Sequence, residues 1–235
     1  MKALAALLAV VFPARCVGCG AAPTALCPAC AARARPAPAG AGGGGDPPPH
    51  ELDWWVAAFA YEGAVREALA RLKYRNARSA LPLLASGLAD RLRAAGGGPV
   101  DLVTWPPTSA GRRRRRGFDQ AEHLARAVGG ALGVPVRPCL RRRAGAAQTG
   151  RSAGERRRGP VFALRGGSVA GRRVLLVDDV ATTGATLAAA ARALRAAGAG
   201  AVGAATVART PRRPPPGTDR SSPAQGVPAG RRYQH

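Results

Sequence analysis

Two adjacent acidic residues follow an apolar run in the segment VLLVDDVATTGAT, which spans residues 174–186. The carboxylates of Asp178 and Asp179 repel each other, and each is costly to keep ionised beside an apolar environment. We therefore expect a cation, or a ligand rich in hydroxyl groups, to compensate this pair.

The loop after the two acids has the composition of an anion-binding site. Thr182, Thr183 and Thr186 offer hydroxyl donors, and Gly184 lets a ligand approach the backbone closely. A helix that begins after this loop would aim its backbone N–H groups and its dipole at a phosphate. A sugar 5-phosphate fits both halves, with its phosphate in the loop and its ribose hydroxyls on the aspartates. Magnesium bridging the ribose and a pyrophosphate would supply the missing positive charge.

We accordingly predict that Asp178 and Asp179 are catalytic residues and that the loop binds the substrate. The predicted substrate-binding residues are Ala181, Thr182, Thr183, Gly184, Ala185 and Thr186.

Other phosphate-binding motifs do not fit. A Walker P-loop requires a lysine that is not present here, and a dinucleotide fingerprint places its glycines before the acidic residue. A phospho-acceptor receiver needs a lysine after a later strand, and none follows Lys73.

Four of the five cysteines lie in CVGCGAAPTALCPAC, as two C-x2-C pairs separated by seven residues. Two such pairs can complete a tetrahedral zinc site. The predicted zinc ligands are Cys16, Cys19, Cys27 and Cys30. Two disulfides would require an oxidising compartment, and redox C-x2-C motifs are rarely doubled, so structural zinc is favoured. We expect the remaining Cys139 to be a packed core residue rather than a nucleophile.

Strand-like and helix-like patterns alternate through the middle of the chain. Predicted strands span residues 54–61, 100–105, 134–136, 173–177 and 201–208, and predicted helices span 63–74, 118–133 and 186–198. Such alternation implies an α/β fold with a parallel sheet covered by helices. Ligands of such sheets bind beyond the carboxyl ends of the strands. The strand at 173–177 therefore puts Asp178 and Asp179 at the mouth of the site.

Composition divides the chain into four parts. Residues 1–35 hold a short amphipathic or buried helix and the zinc unit, 36–50 a proline- and glycine-rich linker, 51–210 the main domain, and 211–235 a disordered tail. The apolar start, MKALAALLAVVF, is too short to span a membrane, and no small-x-small cleavage site follows it. No other segment is long and apolar enough to span a membrane, so we expect a cytoplasmic protein.

The formal net charge is +23, and almost all of the positive charge is arginine, because Lys2 and Lys73 are the only lysines. A polyanionic partner would explain this excess, and so would a bias toward GC-rich codons.

The arginine run at 112–116 has three interpretations: contact with DNA phosphates, contact with pyrophosphate, or a solvated basic turn. The basic segment 140–160 is either a mobile loop that closes over the site or a solvated surface loop.

The segment 174–186 resembles the phosphoribosyl diphosphate (PRPP) signature of type I phosphoribosyltransferases, which is four apolar residues, two acids, two spacers and T-T-G-[GA]-[TS]. The chain as a whole resembles the ComF family of competence-associated, phosphoribosyltransferase-like proteins. The features that carry this resemblance are the four-cysteine knuckle, YEGAVREALARLKYRN (61–76), RRGFDQAEHLA (115–125), QTGRS (148–152) and the PRPP signature. They stand in a consistent order over roughly residues 10–210.

The resemblance implies a type I phosphoribosyltransferase fold that displaces pyrophosphate at the ribose anomeric carbon, through positioning and electrostatics rather than a covalent nucleophile. It implies structural zinc, magnesium bound with PRPP, and a role in DNA uptake beside a helicase and single-stranded DNA. The chain departs from the family pattern at residues 104–107, Asp119 and Gly159. Two hypotheses remain open: an enzyme that transfers phosphoribosyl to an amine or base, and a PRPP-binding module with little or no turnover.

Overall fold

The computed structural model of the chain covers the predicted cysteine unit and main domain in several ranges. Described are residues 15–16, 18–21, 24, 26–37, 49–75, 81–96, 98–143 and 160–210. The predicted N-terminal helix at 1–12, the greater part of the linker, residues 144–159 of the basic segment and the tail lie outside these ranges.

Helices and strands alternate along the described residues. The helices are α1 (Pro28–Ala32), α2 (Gly63–Arg75), α3 (Leu81–Ala94), α4 (Ala110–Arg116), α5 (Gln120–Leu132) and α6 (Ala185–Ala196). The strands are β1 (Trp54–Ala60), β2 (Leu102–Thr104), β3 (Leu140–Arg142), β4 (Phe162–Leu164), β5 (Arg173–Ala181) and β6 (Ala201–Arg209).

Four of these strands form one parallel sheet in the order β1-β6-β5-β2. β5 lies inside this sheet, where Leu176 pairs with Thr104 of β2 and Asp178 pairs with Thr206 of β6. Strands β3 and β4 form a separate antiparallel ribbon. The predicted α/β fold with a parallel sheet flanked by helices is therefore confirmed.

Alternate residues of β5 face opposite sides of the sheet. Leu175 and Val177 pack on the side covered by α2, α3 and α5, whereas Val174 and Leu176 pack on the side covered by α6 and the β3–β4 ribbon. The second core also buries Cys139, as predicted, and burial raises the pKa of its thiol. Because both faces of β5 are covered, its register is fixed, and so is the position of the acids that end it.

β5 is longer than the strand predicted at 173–177. It continues through Asp178 and Asp179 to Ala181, because β6 runs on to Arg209 and pairs with it along this length. The acidic pair is thus held in the sheet ladder and does not belong to the loop that follows.

Several other predicted boundaries change. Residues 134–136 form no strand, since Val136 makes only an isolated parallel bridge to Val103 of β2. The helix predicted from residue 118 begins at Gln120, because Asp119 has an extended backbone and acts as its N-cap. Helices α1, α3 and α4 and the β3–β4 ribbon have no counterpart among the predicted elements.

Helix α4 shows that the arginine run is not a basic turn. Ser109 caps the helix by accepting a hydrogen bond at Oγ from the Arg112 N–H, at 3.4 Å. Gly117 ends it with a left-handed φ of 77°, a conformation that glycine adopts without strain. The arginines of the last turn lie at the end of the helix where the dipole favours cations.

The cysteine segment packs on the main domain. Leu26 and Ala34 contact the core on the side of α2, α3 and α5. Pro36 makes an isolated bridge with Phe59 of β1, and the Ala37 N–H donates to the Ala58 carbonyl at 3.0 Å. Residues 36–37 therefore extend the β1 side of the sheet.

Candidate functional site

The topology opens a crevice at the carboxyl ends of β2 and β5. After β2 the chain passes through α4 and α5 to Val136, which bridges to β2 on the side away from β5. After β5 the chain passes through α6 to β6, on the other side. Open parallel sheets bind their ligands where two such connections diverge.

A cleft of about 220 Å³ lies at this divergence. Its lining comes from the loop after β2, from α4, α5 and β3, and from the end of β5 with the start of α6. The lining residues are Pro106, Pro107, Thr108, Arg112, Arg116, Asp119, Gln120, Ala121, Arg142, Asp178, Asp179, Val180 and Thr186. Within the described part of the chain this lining includes no aromatic ring, so that part offers a base no surface for stacking.

One side of the cleft is formed by Asp178 and Asp179, which we call the aspartate wall. Both residues are half-buried. The Asp179 N–H donates to Asp178 Oδ1 at 2.8 Å, and the Val180 N–H donates to Asp179 Oδ1 at 2.7 Å. These backbone bonds fix the orientation of both carboxylates and offset part of their negative charge. Their oxygens are the kind of ligand that hydroxyl groups and magnesium prefer.

The threonine loop, residues 182–184, joins the aspartate wall to α6. Thr182 and Thr183 are exposed, and Thr183 Oγ1 accepts from the Ala185 N–H at 3.3 Å. Gly184 is the N-cap of α6 with a left-handed φ of 76°, and a Cβ built on it would lie 3.0 Å from Pro49 Cγ. The left-handed backbone therefore favours glycine here, and any side chain would also press on Pro49.

The predicted substrate-binding residues differ in their surroundings. Thr186, in the first turn of α6, lines the cleft together with the aspartates. Ala181 lies in β5, where it is buried and its carbonyl accepts from the Thr210 N–H at 3.0 Å. The loop between them is exposed at its two threonines and lies at the N-terminus of α6, where backbone N–H groups favour an anion.

Three arginines, Arg112, Arg116 and Arg142, also line the cleft, and we call them the arginine wall. Arg112 and Arg116 share one face of α4 because they are four residues apart. The pKa of Arg142 is lowered by partial desolvation and by the nearby positive charge of Arg112. Guanidinium groups that converge in this way attract an anion.

Asp119 and Gln120 connect the arginine wall to α5 and the loop after β2. Asp119 Oδ2 accepts from the Thr108 N–H at 2.8 Å, and Oδ1 accepts from the Ala121 N–H at 3.2 Å. Burial raises the pKa of the Asp119 carboxyl, although these N–H groups favour its ionised form. Gln120 Oε1 accepts from Arg116 Nη1 at 2.8 Å.

The sequence interpretation did not include Gln120 or Arg142 among the site residues, and it did not divide the arginine run. The four-residue spacing could have separated Arg112 and Arg116 from the other arginines of the run, since residues 112 and 116 share a helical face. Arg113, Arg114 and Arg115 are exposed and do not line the cleft.

The four cysteines of the two C-x2-C pairs come together in a separate cluster. Their Sγ atoms all lie within 4.8 Å of one another, and Cys19 Sγ lies 3.8 Å from Cys27 Sγ. All four are free thiols. A tetrahedral zinc ion with Zn–S bonds of about 2.3 Å holds its sulfurs about 3.8 Å apart, so the cluster is compatible with structural zinc.

The surroundings of the cluster favour thiolates. Burial of Cys16 disfavours its ionised form, but N–H groups of Cys19, Cys27 and Gly18 outweigh this effect and lower its pKa to about 6. Arg33 Nη2 lies 3.4 Å from Cys30 Sγ and donates to it. Deprotonated sulfur is the form that binds metal.

No helix within the described ranges combines the length and the apolar character needed to cross a bilayer.

A family model described as the phosphoribosyl transferase domain matches residues 114–221. The match begins in α4 and includes the aspartate wall and the threonine loop. No curated protein is significantly similar to this chain.

Several solved structures are similar to part of the chain. The allosteric regulatory enzyme of purine biosynthesis is 26% identical with a TM-score of 0.40, and the match covers 55% of this chain and 26% of that chain. Glutamine PRPP amidotransferase from B. subtilis, complexed with ADP and GMP, is 26% identical with a TM-score of 0.39 and the same coverage. A purine phosphoribosyltransferase from Pyrococcus horikoshii Ot3 is 21% identical with a TM-score of 0.37, covering 55% of this chain and 72% of that chain.

The match to the first two structures spans about a quarter of their length. The domain match, by contrast, includes the cleft residues from Arg116 onward. Residues 114–221, just under half of the chain, are therefore similar to a phosphoribosyl transferase domain.

Proposed function

We propose that the cleft binds PRPP with magnesium and that the protein is a phosphoribosyltransferase similar to the ComF family. The observation that carries this proposal is one cleft lined by both the aspartate wall and the arginine wall, with the threonine loop directly after the acids in the chain. PRPP has the matching parts: a ribose with hydroxyl groups, a monophosphate at one end and a diphosphate at the other.

Magnesium fits the donor set of the aspartate wall. Asp178 and Asp179 offer carboxylate oxygens in a half-buried position at the mouth of the cleft, and Mg²⁺ binds to such oxygens together with substrate phosphates. When bound, the ion neutralises negative charge that develops on a departing diphosphate.

The residues of the chain would act by positioning and by electrostatics. The threonine loop and Thr186 hold the monophosphate, and the aspartate wall holds the ribose hydroxyls. The carboxylates also favour the positive charge that develops on the ribose as the bond from its anomeric carbon to the diphosphate breaks. The arginine wall receives the diphosphate as it leaves. Fixing both ends of the ligand aligns the anomeric carbon for attack.

Calorimetric titration of PRPP with magnesium into the zinc-loaded protein tests this function. We expect binding in the micromolar range, weakened at least tenfold by Asp179→Asn, which corresponds to about 1.4 kcal/mol. Asp101→Asn is the matched control, because Asp101 lies just before β2, at the amino ends of the strands and outside the cleft lining. Its carboxylate accepts from the Arg173 N–H at 2.8 Å. That control should bind PRPP like the unaltered protein. Absence of binding heat in a protein that circular dichroism shows to be folded would refute the proposal.

Release of pyrophosphate on adding amines or bases then separates an enzyme from a binding module. An enzyme releases pyrophosphate only with the correct acceptor, and Asp179→Asn should abolish the release. A protein that binds PRPP but releases no pyrophosphate with any acceptor tested would favour the binding module.

We also propose that the cysteine cluster holds one structural zinc ion. Native mass spectrometry of the protein should show one zinc, and Cys16→Ser should remove it because that thiol is fully buried among the other three. Cys139→Ser is the control, since Cys139 lies in the other core, and it should retain the metal. Zinc retained in full by Cys16→Ser would contradict this assignment.

A second candidate function, contact with single-stranded DNA during uptake, is favoured by Arg113, Arg114 and Arg115. These side chains are exposed and outside the cleft, so a nucleic-acid backbone can reach them without competing with PRPP. Replacing all three by alanine should weaken binding of labelled single-stranded DNA and reduce its salt dependence, while PRPP affinity stays unchanged. DNA binding that is insensitive to this triple variant would exclude the surface.

A further inference from the structure

Gln120 is a buried polar side chain that lines the cleft. It is only 3% exposed. The orientation of its carboxamide is fixed by chemistry, because arginine can only donate hydrogen bonds and Arg116 Nη1 lies 2.8 Å from the atom assigned as Oε1. The amide nitrogen, Nε2, therefore points away from Arg116.

The Nε2 group finds no acceptor among the residues that the structure describes. Buried polar groups in folded proteins nearly always have a hydrogen-bond partner, since leaving one unmade is costly. Because Gln120 lines the cleft, a ligand in the cleft can supply the missing acceptor. The unsatisfied amide is thus a second line of evidence for a ligand in the cleft, and this evidence does not depend on the PRPP signature.

The neighbouring groups define the chemistry of that ligand. Arg112, Arg116 and Arg142 offer only donors and positive charge. An amide N–H beside guanidinium groups matches an oxyanion such as phosphate, which can accept several hydrogen bonds at once. Gln120 and Arg116 lie at the α4–α5 corner, whereas the threonine loop lies at the N-terminus of α6, so we assign this oxyanion to the other end of the ligand from the sugar monophosphate.

We infer that Gln120 and Arg116 form a subsite for a second phosphate-type oxyanion, in which Arg116 provides charge and Gln120 Nε2 provides a direct hydrogen bond. This inference rests on the proposed function, because the diphosphate of PRPP is the oxyanion that the subsite would take. Gln120 has two roles in this arrangement: its Oε1 holds Arg116 and its Nε2 contacts the ligand.

Calorimetry with two simple probes, inorganic pyrophosphate and ribose 5-phosphate, tests the subsite. Gln120→Met, which keeps the approximate length of the side chain without donor or strong acceptor, should weaken pyrophosphate binding about tenfold. Binding of ribose 5-phosphate should change less than twofold, because the threonine loop holds that phosphate. Arg114→Ala, an exposed residue of the same helix, is the control and should leave both unchanged.

A double-mutant cycle separates direct contact from support of Arg116. If Gln120 acts only by holding Arg116, Gln120→Met has no further effect on pyrophosphate binding in an Arg116→Ala background. We expect at least a further threefold loss in that background. No further loss would overturn the direct contact, and so would a loss of ribose 5-phosphate affinity equal to that of pyrophosphate.

Gln120→Glu guards against a variant that fails to fold. It keeps an acceptor for Arg116 but replaces the amide donor by a carboxylate, so pyrophosphate should bind at least tenfold more weakly while thermal unfolding stays close to that of the unaltered protein. Pyrophosphate affinity retained in this variant would refute the inference.

PRPP binding lost in Asp179→Asn but kept in Gln120→Met would leave the proposed function standing and remove the subsite alone. If the protein does not bind PRPP but its pyrophosphate binding still depends on Gln120, the subsite would stand and the proposed function would fall.

Discussion

The two walls of the cleft are built in different ways. The aspartate wall lies on β5, between β2 and β6, and backbone N–H groups hold its carboxylates. The arginine wall lies on α4, a helix of seven residues with none of them buried, and on the β3–β4 ribbon. Side-chain contacts hold it, including the bond from Arg116 to Gln120. The fold thus fixes the negative groups through the sheet, whereas it leaves the positive groups on elements that pack less deeply.

This difference suggests a division of labour. Groups that must align a reacting carbon need to be held closely, and a central strand achieves this. Groups that receive and release a diphosphate need charge and some freedom of movement, which long arginine side chains on a short exposed helix retain. The predictions below test whether the walls are separable in this way.

Removing both charges of the aspartate wall should have the largest effect on binding. The double variant Asp178→Asn and Asp179→Asn should weaken magnesium-dependent PRPP binding at least a hundredfold, about 2.7 kcal/mol. The melting temperature should stay equal or rise, because the repulsion between two partly buried carboxylates is relieved. Calorimetry and thermal unfolding measure both. A variant that loses stability as well as affinity would mean that the pair serves packing.

Removing charge from the arginine wall should have a smaller effect of a different kind. Arg112→Ala with Arg116→Ala should weaken PRPP binding roughly 30-fold, about 2 kcal/mol, and should lower its dependence on ionic strength. Titrations at two salt concentrations measure both effects. An equal loss of ribose 5-phosphate affinity would show that the two walls do not bind different ends of the ligand.

The corner between α4 and α5 depends on Asp119. Asp119→Ala removes the carboxylate that accepts from the N–H groups of Thr108 and Ala121. The free energy of unfolding should therefore fall by about 1.5 kcal/mol. Asp119→Asn, which keeps one oxygen as acceptor, should lose less. Denaturant unfolding of both variants measures the difference, and equal losses would show that the hydrogen bonds do not matter.

The same residue gives a small pH effect of predictable sign. The pKa of Asp119 is raised in the folded state, so the folded protein binds its proton more tightly than the unfolded chain. The unfolding free energy of the unaltered protein should therefore fall, relative to Asp119→Asn, as pH rises from the ordinary aspartate value through the raised one. Thermal unfolding of both proteins across this range measures it, and the opposite sign would show that the hydrogen bonds outweigh burial.

The aspartate wall could be predicted from the sequence because its residues are contiguous. VLLVDDVATTGAT contains the apolar strand, the acids and the loop in one segment, and the cysteine pairs are equally local. The length of β5 could not be predicted in the same way. It continues to Ala181 only because β6 offers a partner as far as Arg209, and that pairing depends on the fold.

The arginine wall could not be assigned because its residues become neighbours only in space. Arg142 comes from a three-residue strand that is defined by pairing with β4, and a strand of that length has no periodicity to detect. Helix α3 is a different case. Leu81, Leu84 and Leu88 are buried at helical spacing. The sequence therefore contains the pattern of this helix, and α3 could have been predicted from it.

The most direct test of the account is a crystal structure of the zinc-loaded protein with PRPP and magnesium. The account predicts the monophosphate at the threonine loop, the ribose hydroxyls on Asp178 and Asp179, and the diphosphate within hydrogen-bond distance of Gln120 Nε2 and Arg116. A diphosphate bound at the threonine loop, or a ligand that contacts only one wall, would contradict the central claim that the two walls hold opposite ends of one molecule.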